Sequence, residues 1–143
     1  MSKPPHFFQT YPFSCVPACL RMVLASLDCS ISELELRNLC ECDETGTIPS
    51  NAIKAASECG FDVYKANLTF EELEDLIRQN ITPIVFTKVS QNANYSHAVV
   101  VYKISRGTVF ALDPEIGERE FEINSFVENW SRGLTIIIEK KTL

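Results

Sequence analysis

The period of the hydrophobic pattern changes near residue 80, and no other feature of the chain restricts its fold as strongly. Residues 15 to 27 carry apolar side chains at positions 16, 19, 20, 23, 24 and 27, the spacing of one buried helix face. Ser14 is the predicted N-cap of this helix, with the Val16 N–H as the donor its hydroxyl takes. Pro17 falls in the first turn, where its missing N–H costs little. Capping boxes at Ser32-x-x-Glu35 and Thr69-x-x-Glu72 open two further helices, to about Leu39 and about Gln79. Between them "TIPSNAIKAASECGF" reads as a helix from about Ser50, closed by Gly60. From Pro83 onward β-branched and aromatic content rises, and strands are predicted near 83–89, 97–104, 109–113, 118–123 and 134–140, with a brief helix at 125–130. Helices first and mostly antiparallel strands later define a single α+β domain over residues 1–143, not an alternating α/β fold. A chain of 143 residues buries roughly two thirds of its unfolded surface, so no covalent staple is needed.

The six cysteines, at 15, 19, 29, 40, 42 and 59, are therefore expected to be free thiols. The N-terminal stretch "MSKPPHFFQTYPF" is broken by prolines and lacks the apolar core of a secretory signal. The runs "HAVVVY" and "LTIII" are too short to span a bilayer. A reduced, cytoplasmic protein without a membrane span is the expectation. A net charge of −6, with no basic run beyond Lys140-Lys141, lacks the footprint that a phosphate backbone demands, so nucleic acid is not an expected partner. Cys15-x3-Cys19 and Cys40-x-Cys42 fit the spacing of structural zinc pairs poorly. Neither a metal nor another cofactor is expected.

Chemistry concentrates on four residues. Cys15 opens the first helix, where unpaired N–H groups and the helix dipole stabilise a thiolate, the reactive form of cysteine. Its own N–H is left for a ligand, half of an oxyanion hole. A cysteine nucleophile needs a base, and the chain has two histidines. His6 lies in the proline-flanked tail with no element to hold it, whereas His97 opens "HAVVVYKI", the most strand-like run present. Asp113 ends the next strand, beyond "SRGT". If Ser105-Arg106-Gly107 form a three-residue loop with Gly107 left-handed, Asp113 pairs with Val99 and shares a face with His97 as its diagonal neighbour. A two-residue turn would put Asp113 on the opposite face. Gln9, in the extended stretch six residues before Cys15, is close enough to aim its amide at an oxyanion. Each residue also has an ordinary reading: a small buried thiol, a solvated imidazole, an Asp-Pro turn and a loop glutamine. Cys19, one turn further into the helix, reads as packing.

Taken together, "FFQTYPFSCVPACLRMVL", "SHAVVVYKI" and "ALDPEIGE", in that order, resemble the bacteriocin-processing, double-glycine-leader cysteine peptidases, a papain-like family. The likeness extends through "DETGTIPSNAIKAASECGF" to Phe126 and Trp130, nearly the whole chain. It implies a papain-like peptidase fold, with a helix bearing the nucleophile packed on a sheet carrying His and Asp. Cys15 would be the nucleophile, His97 the general base and acid, Asp113 the group orienting the imidazole, and Gln9 an oxyanion donor. A peptide or protein cut after a Gly-Gly leader would be the substrate. The chain departs from the pattern at Val16, where the family usually has Gly. It also contains neither membrane spans nor the phosphate-binding loop of the exporters to which such peptidases are commonly joined, so a separate transporter or maturation partner would carry out export. A thiol acyltransferase or amide deconjugase on the same scaffold, and a non-catalytic leader-binding module, are the alternatives.

Overall fold

The computed structural model describes residues 3–88 and 96–141. Three helices come first: α1 (Cys15–Ser26), α2 (Glu33–Leu39) and α3 (Pro49–Glu58). Strand β1 (Phe61–Asn67) and helix α4 (Phe70–Arg78) follow, then β2 (Ile84–Lys88), β3 (Ser96–Ser105), β4 (Thr108–Asp113), β5 (Gly117–Glu122), α5 (Ile123–Asn129) and β6 (Trp130–Lys140). The six strands form one sheet in the order β1-β6-β2-β3-β4-β5, and every pairing is antiparallel. The predicted α+β architecture is therefore observed. The last residue of the strand expected at 83–89 lies outside the described residues.

Local chemistry accounts for most boundaries. Thr69 and Glu72 make the reciprocal capping box of α4, and the Ser32 hydroxyl accepts the Glu35 N–H at the start of α2, as their spacing predicts. Gly60, at φ 97°, supplies the left-handed residue that ends α3. Ser14 departs from expectation. It makes no side-chain cap; its Oγ instead accepts the Tyr11 N–H and donates to the Tyr11 carbonyl, both at 3.0 Å. The usual N3 donor is missing because that position is Pro17, and the hydroxyl is satisfied by the preceding turn. Strand β1 was not predicted. Most of its side chains are not fully buried and it lies at the sheet edge, so its hydrophobic signal is weak even though it pairs with β6 along seven residues.

The sheet is buried on both sides. One face packs Phe86, Ala98, Val100 and Leu112 against Leu20, Val23 and Leu24 of α1 and the alanines of α3. The other packs Val85, Val99, Val101 and Ala111 against Leu73 of α4 and Phe126 of α5. Each fully buried Leu or Val contributes about 1.5–3 kcal/mol, which holds α1 firmly across the central strands.

The β3–β4 hairpin sets the position of Asp113, and the structure corrects the predicted turn. Ser105 pairs with Thr108, so the loop is the two residues Arg106 and Gly107, at φ 51° and 79°, the positive angles of a turn that suits the twist of a hairpin. Such a turn alone would put Asp113 on the wrong face. Tyr102 compensates, because it is an extra residue in β3 between the pairs Val101↔Ala111 and Lys103↔Phe110. This bulge restores the parity. Val100 then faces Leu112, and the same register carried one step further sets Asp113 beside Val99, on the side of the sheet shared with His97.

Candidate active site

Cys15 is the first residue of α1. The Ser14 carbonyl accepts the Ala18 N–H at 3.1 Å, and Pro17 has no N–H. Among the described residues, the Cys15 and Val16 N–H groups have no partner, so the helix start presents two free donors beside the sulfur. Gln9 is fixed close to the same turn. Its backbone N–H donates to the Pro114 carbonyl at 2.8 Å, and its Nε2 donates to the Tyr11 carbonyl at 2.7 Å. One amide hydrogen remains for a ligand, and Oε1 is buried without a partner.

His97 and Asp113 meet as the restored register requires. His97 Nε2 donates to Asp113 Oδ1 at 2.7 Å, and the two residues are only 8% and 1% exposed. Cys15 is near enough to the imidazole to affect its titration, and with Nε2 on Asp113 the ring nitrogen left over is Nδ1. Burial alone would lower the His97 pKa, but the bond to Asp113, the nearness of Cys15 and the negative charge facing the ring outweigh it and raise the value to about 10. Burial pushes the Asp113 carboxyl up. The His97 bond, the Glu115 N–H and Arg119 overcome that push and hold it below the ordinary carboxylate value.

Two groups went unrecognised in the sequence. Arg119 Nη1 donates to Asp113 Oδ2 at 3.1 Å. His6, expected to be unheld, donates through Nε2 to the Asp113 backbone carbonyl at 2.7 Å and packs edge-on against Phe8. With the Gln9–Pro114 bond, His6 straps the N-terminal stretch onto the Asp113 turn. The parity of the β4–β5 pairing was the signal available for Arg119: Ala111 faces Arg119 and Asp113 faces Gly117, which makes Arg119 the diagonal neighbour of Asp113.

Four of the remaining cysteines, Cys19, Cys40, Cys42 and Cys59, are poor nucleophiles. Burial raises the Cys19 thiol well above its ordinary value, with Cys15 and Asp113 adding to the effect. Burial likewise lifts Cys40 to about 12, and Cys42 and Cys59 also rise. Among the described residues, no three His, Cys, Asp or Glu side chains gather as a metal-ligand set. A cavity of about 250 Å³ lies along His97 and Asp113, lined also by Thr87, Lys88, Arg119 and Asn129. A larger one, about 480 Å³, is lined by Val23, Ser26 and Leu27 at the far end of α1 and carries none of these four candidates.

A cysteine at a helix start, facing a His–Asp pair presented by an antiparallel sheet, is the arrangement of the papain-like peptidase fold. The chain belongs to the Peptidase C39 family, whose model matches residues 3–142. It is 33% identical over 109 residues to an uncharacterized protein of Methanothermobacter thermautotrophicus, covering 76% of this chain and 70% of that one. It is also 29% identical over 120 residues to the Lactococcin-G-processing and transport ATP-binding protein LagD of Lactococcus lactis, covering 82% of this chain but 16% of that protein. The peptidase domain of Streptococcus ComA, a bi-functional ABC transporter, superposes with a TM-score of 0.85 at 23% identity, over 94% of this chain and 97% of that domain. A double glycine motif protease from an AMS/PCAT transporter, in complex with its leader peptide, gives 0.82 at 22% identity, over 97% and 93%. At these identities the superpositions establish the fold. No helix among the described residues is long and apolar enough to cross a membrane.

Proposed function

We propose that this single domain is a cysteine peptidase that cuts a peptide or protein after a Gly-Gly leader, with Cys15, His97, Asp113 and Gln9 as its working residues. The observation that carries the reading is the buried His97–Asp113 hydrogen bond beside Cys15, which stands at a helix start with free N–H donors. The Cys15 thiolate attacks the scissile carbonyl carbon, and the oxyanion that forms takes hydrogen bonds from the Cys15 N–H and the Gln9 amide. As the C–N bond breaks, His97 gives its proton to the leaving amine. Water, losing a proton to His97, then attacks the thioester and frees the acid and the thiol. The Gly-Gly preference rests on the double-glycine relative, as does the expectation of a separate transporter partner. Six free thiols suit a reducing, cytoplasmic setting.

The test is incubation of wild type and Cys15→Ala with leader-bearing peptides, with cuts located by mass spectrometry. A cut after Gly-Gly made by wild type alone supports the peptidase. Binding without a cut points to a leader-binding module, and capture of the acyl group by an added amine in place of water points to a transferase.

A further inference from the structure

Asp113 can serve His97 only if its carboxylate keeps one orientation. The terminal torsion of an aspartate is broad and two-fold, so an unrestrained carboxylate would turn between settings in which either oxygen, or neither, meets the imidazole. Oδ1 accepts both His97 Nε2 at 2.7 Å and the Glu115 N–H at 2.8 Å. Those bonds grip one oxygen and leave the plane free to swing about it. Oδ2 has one side-chain partner among the described residues, Arg119 Nη1 at 3.1 Å, and that second anchor fixes the plane.

Arg119 is itself well placed for the task. Its guanidinium carbon lies 4.3 Å from the centroid of the Phe121 ring, and Phe121 is the next residue on the same face of β5. His97, Asp113 and Arg119 thus stand in a diagonal row across β3, β4 and β5, neighbours in the sheet. A purely stabilising pair is a poor account of this contact. The Arg119 side chain is 37% exposed, and partly exposed pairs contribute little to stability. The value of the contact lies in the angle it imposes on a carboxylate that is almost wholly buried.

We infer that Arg119 is a positioning residue for catalysis, holding the Asp113 carboxylate so that the imidazole of His97 stays directed at Cys15. The inference rests on the peptidase reading above. Arg119 uses a single nitrogen on Asp113, so an ammonium on a lysine stem can supply that bond and still sit over the Phe121 ring, whereas a neutral side chain of similar length supplies no charge.

The test compares Arg119→Met and Arg119→Lys in the full chain by two readouts. The first is the low-field proton resonance of His97 Nε2–H, assigned by its loss in His97→Gln. The second is kcat and KM on a leader peptide that wild type cuts. In Arg119→Met the resonance is expected to broaden or vanish. Its kcat should fall on the order of 10- to 100-fold, the scale of a small misplacement of a reacting group, at unchanged KM. In Arg119→Lys the resonance should return, with most of kcat. A sharp His97 resonance and wild-type kcat in Arg119→Met overturn the inference, as does a folded Arg119→Lys that recovers neither. A wild-type protein inert on every leader peptide overturns the peptidase reading only. The resonance is independent of turnover and still decides the role of Arg119.

Discussion

Replacing Asp113 by Asn keeps the size of the side chain and removes its charge, which isolates what the carboxylate does for the fold. The carboxylate is 1% exposed and accepts from His97, Glu115 and Arg119. An amide can match those donors on one side only, because its NH₂ must face an N–H or a guanidinium on the other. The rise of His97 from 6.5 to about 10 corresponds to roughly 5 kcal/mol of preferential stabilisation of the charged imidazole, shared between Asp113 and Cys15. Breaking one side of a buried charged pair typically costs about 3–5 kcal/mol. Asp113→Asn should therefore lose on the order of 3 kcal/mol, or about 10 °C in Tm for a domain of this size. The loss should depend on pH at both ends. The depressed Asp113 value means that its contribution is present above the ordinary 3.8 and is lost as pH falls through the lower folded value. The raised His97 value means that its contribution is complete below 6.5 and disappears as pH rises through about 10. The difference between wild type and Asp113→Asn, measured by urea unfolding followed by circular dichroism, should be greatest between those limits and shrink on either side. A difference below about 0.5 kcal/mol at pH 5–6, or one that stays constant from pH 3 to 10, would refute the charged-pair reasoning.

Other perturbations address other links. Gln9→Ala should lower kcat on the order of 10²- to 10³-fold if its amide holds the oxyanion, while the lost bond to Tyr11 costs only about 1 kcal/mol in unfolding; unaltered turnover in steady-state kinetics would rule Gln9 out. Deleting Tyr102 removes the bulge but leaves Lys103↔Phe110 and Val101↔Ala111 as successive pairs, so Asp113 should stay on the His97 face and iodoacetamide labelling of Cys15 near neutral pH, followed by mass spectrometry, should stay near the wild-type rate; labelling as slow as in His97→Ala in a folded deletion variant would contradict the register argument. Gly133→Ala would set a Cβ 2.1 Å from the Leu68 carbonyl oxygen at φ 69°, and more than about 3 kcal/mol should be lost in denaturant unfolding. Gly60→Ala meets no neighbouring atom but sits at φ 97°, so it should lose about 1–2 kcal/mol by the same measurement.

What could be read from the sequence follows the range of the interactions involved. Helix starts at Ser32 and Thr69 depend on residues three apart, and the structure keeps them. Strand β1 escaped because an edge strand with exposed side chains owes its existence to β6, more than sixty residues away, and not to its own pattern. His6 escaped for the same reason: nothing near it in the chain holds it, and its partner is the carbonyl of Asp113. The hairpin is more instructive. The expected three-residue loop does not form, yet Asp113 still reaches His97, because the two-residue turn and the bulge at Tyr102 together shift the strand by the same single residue that the longer loop would have supplied.

That equivalence shows what the site depends on. Parity, not turn type, decides whether a carboxylate on β4 can meet an imidazole on β3, since side chains alternate faces with every residue. Once His97 and Asp113 share a face, the β4–β5 register extends the same logic to Arg119, two residues along from the position facing Asp113. Cys15 reaches the row from outside the sheet, and its position depends on α1 packing across the central strands and on Pro17 leaving the first helical turn without a competing donor. The candidate site is therefore assembled from one helix start and one diagonal of the sheet, and a single-residue slip in either strand pairing would dismantle it while leaving most of the hydrophobic core intact.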